Sequence, residues 1–378
     1  MTSADRPATR LATRLSFLVA GFGLACWAPL VPFAKERLAV DDALLGLLLL
    51  SLGIGSVVAM LATGLLSARH GTKPIIIAGG IGLALVLPLL VVAGTPVTLA
   101  LALLAFGAAL GSIDVAMNIH AVEVERAAGV PLMSGFHALF SIGGFAGSAV
   151  MTALLSFHFG PLACALICSV LMLIAMAFAW PRLLRRSSQA QDGPLFVLPH
   201  GIVLLLALLA AITFLIEGAM LDWGALLVIG EGLVSEAQGG IGYIVFSIAM
   251  TAGRLGGDIV VARVGDRATL VGGSLLAVAG LAVLLLAASA AVAIAGFLLI
   301  GLGASNLVPV LFRRAARQTA MPTGLAVASI TTAGYAGVLV GPAGIGFVAH
   351  AVSLPMAFWM LAAMMCVVTL SAHAVTAK

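Results

Sequence analysis

Charged side chains are rare in this sequence of 378 residues, and a few of them interrupt long apolar runs. Glu217 is the clearest case, with Thr213 one helical turn earlier on the same face. Low dielectric favours the neutral form of a carboxyl, so an acid here could load a proton on one side of a membrane and release it on the other. It could equally hydrogen-bond a solute hydroxyl, or, more plainly, a backbone carbonyl at a helix distortion beside Gly218. Asp114 and Asn118 are four residues apart, on a face that includes Gly107 and Gly111. That polar pair suits solute or proton handling, or a hydrogen bond that holds neighbouring helices together. His137, between Ser134 and Ser141, belongs to the side-chain type whose reference pKa is closest to neutral. It is either a proton relay or a packed, hydrogen-bonded residue. Glu217, Asp114 and His137 are therefore the proton-coupling candidates.

Trp27 and Trp223 offer flat faces for a sugar-like or aromatic ligand, although Trp also gathers at membrane interfaces. Asp222, beside Trp223, lies off the Glu217 face and reads as a wetted acid or a gate partner. His120 is expected to face lipid headgroups. Arg254 and Asp258 are four apart, a spacing that supports an intrahelical ion pair. Asp258 with Arg263 could instead reach the start of the helix near residue 131, where the helix dipole favours an anion, and act as a gate latch.

Several chemistries have no visible machinery. There is no Walker loop, no His-Glu-x-x-His and no convincing nucleophile elbow, so an enzyme is not expected. The four cysteines (Cys26, Cys164, Cys168 and Cys366) all lie in apolar segments and read as small core residues, so neither a metal site nor a cofactor is expected.

The elements that must hold these groups are apolar helices. The composition is 62% hydrophobic and 8% charged, which leaves too little polar surface for a soluble fold. Continuous rather than alternating apolar runs exclude a porin-like barrel. Twelve spans are predicted: 13–34, 43–67, 74–94, 97–121, 131–157, 160–181, 199–228, 237–262, 268–290, 292–316, 322–349 and 354–374. The 18 Lys and Arg residues fall on one side of these spans, except Lys35, Arg37 and the in-span Arg254. Repeated this often, the bias predicts cytoplasmic termini and basic cytoplasmic loops, including Arg69 with Lys73, Arg126, and Arg182 with Arg185 and Arg186. The formal net charge of +4 fits loops that face anionic lipid and is no sign of nucleic acid. The apolar run after Arg6, Arg10 and Arg14 reads as a retained first span rather than a cleaved signal.

Residues 182–198, with Arg-Arg-Ser-Ser-Gln, read as a cytoplasmic linker between six-helix halves at 1–181 and 199–378. The halves repeat. Ala68-Arg69-His70-Gly71-Thr72-Lys73 matches Ala262-Arg263-Val264-Gly265-Asp266-Arg267, and Gly144-Phe145-Ala146-Gly147 matches Gly334-Tyr335-Ala336-Gly337. Gly111-Ser112-Ile113-Asp114 can be laid on Gly303-Ala304-Ser305-Asn306. Parallel repeats of this kind place a substrate site near the midplane between the halves.

The turn with Gly64, Arg69, Gly71 and Lys73 resembles the signature loop of the major facilitator superfamily, although Ala68 stands where that loop usually has an acid. The second copy, with Asp258 and Gly265 around Arg263, is similar, as is the glycine–proline run Gly337 to Gly346. Met133-Ser134-Gly135-Phe136-His137 and Glu217-Gly218-Ala219-Met220-Leu221-Asp222-Trp223 more closely resemble the YbjJ-type inner-membrane branch, distantly similar to fucose permease. The resemblance implies an all-α membrane protein of two pseudo-symmetric six-helix bundles. It implies a secondary transporter working by alternating access, with a site lined by spans one, four, seven and ten. On that reading Trp27, Asp114, Asn118, Glu217, Trp223, Asn306 and Tyr335 contact substrate, and Arg69, Lys73, Arg254, Asp258 and Arg263 gate.

Protons are the expected coupling ion and a small neutral polar metabolite the expected cargo, taken up by a monomer in the bacterial inner membrane. Proton-driven efflux of a lipophilic or cationic compound is the alternative, and a non-transporting receptor or scaffold a rival of another class.

Overall fold

The computed structural model describes residues 6–40, 42–184, 199–234 and 240–377. The expected linker from Arg185 and Arg186 onward, and the first residues of the expected eighth span at 237–239, lie outside them. Among the described residues every regular element is a helix. Ten helices among the described residues are long and apolar enough to cross a membrane. One of these, Ile241–Leu285, is 45 residues long and contains Gly265 at φ 81°, ψ 168°, so it comprises two spans that meet at a sharp turn. Thr323–Ala351 adds a further helix of 29 residues. The twelve expected spans are therefore present.

Their boundaries follow local chemistry. Pro7, Pro96 and Pro161 each open a helix, where a missing N–H costs nothing. Thr95 and Thr98 form a reciprocal capping box, and Ser353 accepts from the Met356 N–H at 3.2 Å. Gly71 turns the chain after span two (Leu47–His70) at φ 78°, ψ 169°. That is nearly the conformation of Gly265, and only glycine adopts it without strain. The two matched loop sequences are thus one backbone structure made twice.

The chain divides into two compact units. The first holds 1–129, 136–197 and 322–328; the second holds 130–135, 198–321 and 329–378. In the first unit span four (Pro96–Ala128) is central, and span two and span three (Thr72–Val92) both pack on it. Glycine sets these approaches. A Cβ on Gly107 would strike the backbone of Leu52, and one on Gly111 the Ser56 carbonyl. Gly147 of span five (Met133–Ser156) meets Phe22 of span one (Pro7–Leu30) in the same way. The second unit repeats the device: Gly301 of span ten meets the Phe246 carbonyl, and Gly337 meets Ala211 of span seven (Ile202–Asp222). Without a hydrophobic drive between helices in lipid, such close backbone contact is what holds them.

Arg37, one of the two loop cations that break the charge pattern, has a structural role. Its guanidinium donates to the carbonyls of Ala93 at 3.0 Å and Leu90 at 2.9 Å, which closes the C-terminal end of span three.

Candidate functional site

Span ten does not run straight through. It stops as Ala290–Ala304 and restarts as Leu307–Arg317, with Ser305 and Asn306 between. A broken helix frees backbone groups that other side chains can use. Arg254 of the eighth span takes one of them, its Nε donating to the Ser305 carbonyl at 3.3 Å. The same guanidinium reaches Glu217 on span seven, with Nη2 at 3.3 Å from Oε1 and 3.4 Å from Oε2. The arginine side chain is 8% exposed and the glutamate 18%, so the acid is the less enclosed of the two. Asn306 donates to the Gly253 carbonyl at 3.0 Å and to Ser305 Oγ at 2.9 Å. Its own Oδ1 is buried without a hydrogen-bond donor among the described residues and presses on Gly257. Spans seven, eight and ten therefore share one polar knot.

One turn beyond Arg254, Asp258 does something different. Its two oxygens accept from the backbone N–H groups of Ser134 at 3.0 Å and Gly135 at 2.9 Å. These are orphan donors in the first turn of span five, and a carboxylate also matches the positive end of that helix. Arg263, expected beside it, is exposed and makes no hydrogen bond or ion pair among the described residues.

The first unit has its own polar centre on an unbroken span four. Asn118 Nδ2 donates to the Asp114 carbonyl at 2.9 Å and to its Oδ1 at 3.1 Å. Asp114 is 8% exposed and Asn118 1%, and the Asn118 Oδ1 has no donor among the described residues. His137 is buried with its ring edge-on to Phe17, centroids 5.2 Å apart. His120 corrects the expectation of a headgroup-facing residue. It is fully buried, with Nε2 accepting from the Leu184 N–H and Nδ1 3.2 Å from Thr13 Oγ1. Since the Thr13 hydroxyl already donates to the Thr9 carbonyl, the network assigns the proton to Nδ1. His120 thus spends both ring nitrogens on internal contacts.

Trp27 and Trp223 sit at matching places. Trp27 is the last residue of the helix Pro7–Trp27, before a tight turn at Ala28–Leu30. Trp223 joins Ile202–Asp222 to the short helix Gly224–Gly230. Each indole Nε1 is buried and has no acceptor among the described residues. Tyr335 lies near Phe214, ring centroids 6.5 Å apart. Asp222 is exposed at the end of span seven, as are Arg69 at the end of span two and its neighbour His70. Lys73 is partly exposed.

Two features escaped the sequence reading. The Glu217–Arg254 pair joins residues 37 apart, with no periodicity to signal it. Asp266 gathers Arg313 at 2.8 Å, Arg317 at 3.7 Å and Arg314 at 3.9 Å. The lone acid in a basic loop facing three arginines was the available signal.

Known proteins align with this geometry. The family model of the Major Facilitator Superfamily matches residues 15–229. An uncharacterized MFS-type transporter of Yersinia pestis is 52% identical over 367 residues, covering 97% of this chain and 96% of that one. Membrane protein MosC of Rhizobium meliloti is 32% identical over 355 residues, covering 93% of this chain and 86% of MosC. The crystal structure of the E. coli fucose:proton symporter FucP is similar at a TM-score of 0.76 and 16% identity, over 100% of both chains, a likeness of fold. Twelve spans in two glycine-packed repeats, a family match across more than half the sequence and relatives that align almost end to end lead to one conclusion: the chain belongs to the major facilitator superfamily of transporters.

Proposed function

We infer that this transporter couples uptake of a small, neutral, polar solute to protons by alternating access, in a bacterial inner membrane with both termini cytoplasmic. The Glu217–Arg254 pair at the break in span ten carries this reading. Ionised, Glu217 offers both oxygens to Arg254. A proton on that carboxyl removes its charge and occupies one acceptor position, which weakens its hold on the guanidinium. Proton loading at Glu217 thereby loosens spans seven, eight and ten from one another, which is the kind of bistable contact a coupled carrier needs.

Charge supports the cargo class. Glu217 and Arg254 neutralise each other, so the second unit's centre presents no net cation to an anionic solute. Hydroxyl-rich solutes suit what remains: the Asp114–Asn118 acceptors and the indole donors of Trp27 and Trp223. The fold likeness to a fucose:proton symporter points the same way. His137, Asn306 and Tyr335 are proposed as further contacts. Asp258, with Arg69, Lys73 and Arg263 on the two loops, is proposed to gate, since a carboxylate on the first turn of span five can be made and broken as that helix moves.

The test is proton flux into proteoliposomes challenged with a panel of monosaccharides and polyols. At least one should draw protons inward with wild-type protein. Glu217→Gln should still exchange that solute across the membrane without responding to a pH gradient. If Glu217→Gln and Asp114→Asn both transport with unchanged pH dependence, the coupling assignment is wrong.

A further inference from the structure

The first unit carries a groove apart from the polar centres described above. Spans two and three both pack on span four but scarcely touch each other, so a cleft opens between them with span four as its floor. Its volume is about 1010 Å³, at the upper end of the roughly 300–1,000 Å³ typical of small-molecule pockets. Ser67 and Arg69 lie on one wall, Ala78 on the other, and Ala108 and Ser112 on the floor.

Small side chains give the cleft its depth. Along span three the outward stripe runs from Ala78 to Leu85 and Leu89, and along span four from Ala108 back to Leu104 and Leu101. Those leucines are exposed along membrane spans, as residues that meet acyl chains are. The cleft therefore opens toward lipid.

Its loop end is cationic and unsatisfied. Arg69 is exposed and makes no hydrogen bond or ion pair among the described residues. Ser67, 3% exposed, lines the cleft one turn into the membrane from His70, and its Oγ is buried with no partner among the described residues. His70 borders the same end, its Nδ1 against the Leu66 carbonyl.

A ligand that answers all of this carries a negative head and an apolar tail. We propose that the groove holds an anionic phospholipid, its phosphodiester on Arg69 and Ser67 and one acyl chain along Ala78 and Ala108. A basic pocket between membrane helices is the expected receptor for such a headgroup. The site stands on the first unit alone and is independent of cargo and coupling ion.

Native mass spectrometry of the delipidated full-length protein tests it, with added phosphatidylglycerol, phosphatidylcholine of the same chains, and glycerol phosphate. Wild-type protein should bind phosphatidylglycerol roughly fivefold more tightly than phosphatidylcholine, the effect of one interfacial cation. Arg69→Gln should bring the two lipids to parity. Ala78→Leu and Ala108→Leu, which fill the cleft at lipid-facing positions and leave the cation in place, should weaken both lipids. Four results would each overturn the assignment: parity of the two lipids in the wild type, an undiminished preference in Arg69→Gln, unchanged binding in both leucine variants, or glycerol phosphate binding as tightly as the whole lipid. The last would mark a soluble phosphate-ester site instead.

Discussion

Span four and span ten hold corresponding places in the two repeats, yet span four runs unbroken through Asp114 and span ten stops at Asn306. Continuity decides what each can do. On the intact helix, Asn118 finds Asp114 one turn away, and its amide bridges the pair. At the break, a freed carbonyl draws Arg254 inward, and the buried cation brings Glu217 with it from a third span. One repeat thus carries a charge-compensated cluster that ties three helices together, and the other an acid joined to an amide of the same helix.

The largest expected effect tests the charged cluster. Glu217→Gln and Arg254→Gln should each destabilise the protein by about 2–4 kcal/mol, somewhat below the ~3–5 kcal/mol for a fully buried pair because Glu217 keeps 18% exposure. The double variant should recover at least half of the larger single loss, because no uncompensated charge remains. Unfolding titrations in mixed micelles read all three, and simple additivity would show that the two groups are not coupled.

A smaller effect tests what the repeats share. Gly111→Ala and Gly301→Ala each place a methyl against a neighbouring backbone carbonyl, that of Ser56 and that of Phe246. Backbone cannot swing aside, so both should lose about 1–3 kcal/mol, and by similar amounts. A large loss at one glycine and none at the other, in the same titrations, would deny the structural equivalence of the two helix pairs.

The smallest effect sharpens the contrast. Asn118→Ala removes a neutral amide whose partners belong to its own helix and should cost about 0.5–1.5 kcal/mol. Should it match Arg254→Gln in the same assay, the distinction between a cluster that ties helices and one that decorates a helix fails.

The sequence carried the spans and the repeat because both are local signals. Apolar length and basic loops mark each span without reference to any other. The pairing of Ala68–Lys73 with Ala262–Arg267 was legible as text, and Gly71 and Gly265 turned out to share a backbone conformation. Asp258 at the start of span five was also within reach, since helix dipoles give acids a general destination. His120 shows where such reasoning ends. Its place near the basic end of span four pointed to headgroups, but Thr13 and Leu184, 107 and 64 residues away, enclose it. The partner of Glu217 was hidden for the same reason. Arg254 and Asp258 share a helical spacing that reads as a pair, and nothing along the chain indicates that Arg254 also reaches span seven.

Composition and charge order by themselves determined that this chain spans a membrane about twelve times and that its acids are few and expensive. Those properties follow from the transfer energy of each segment taken singly. Which acid meets a cation, which meets an amide and which closes a helix was decided only by tertiary structure. Those partnerships depend on how far each helix is rotated and how closely glycines let backbones approach, and neither is written in the period of one helix.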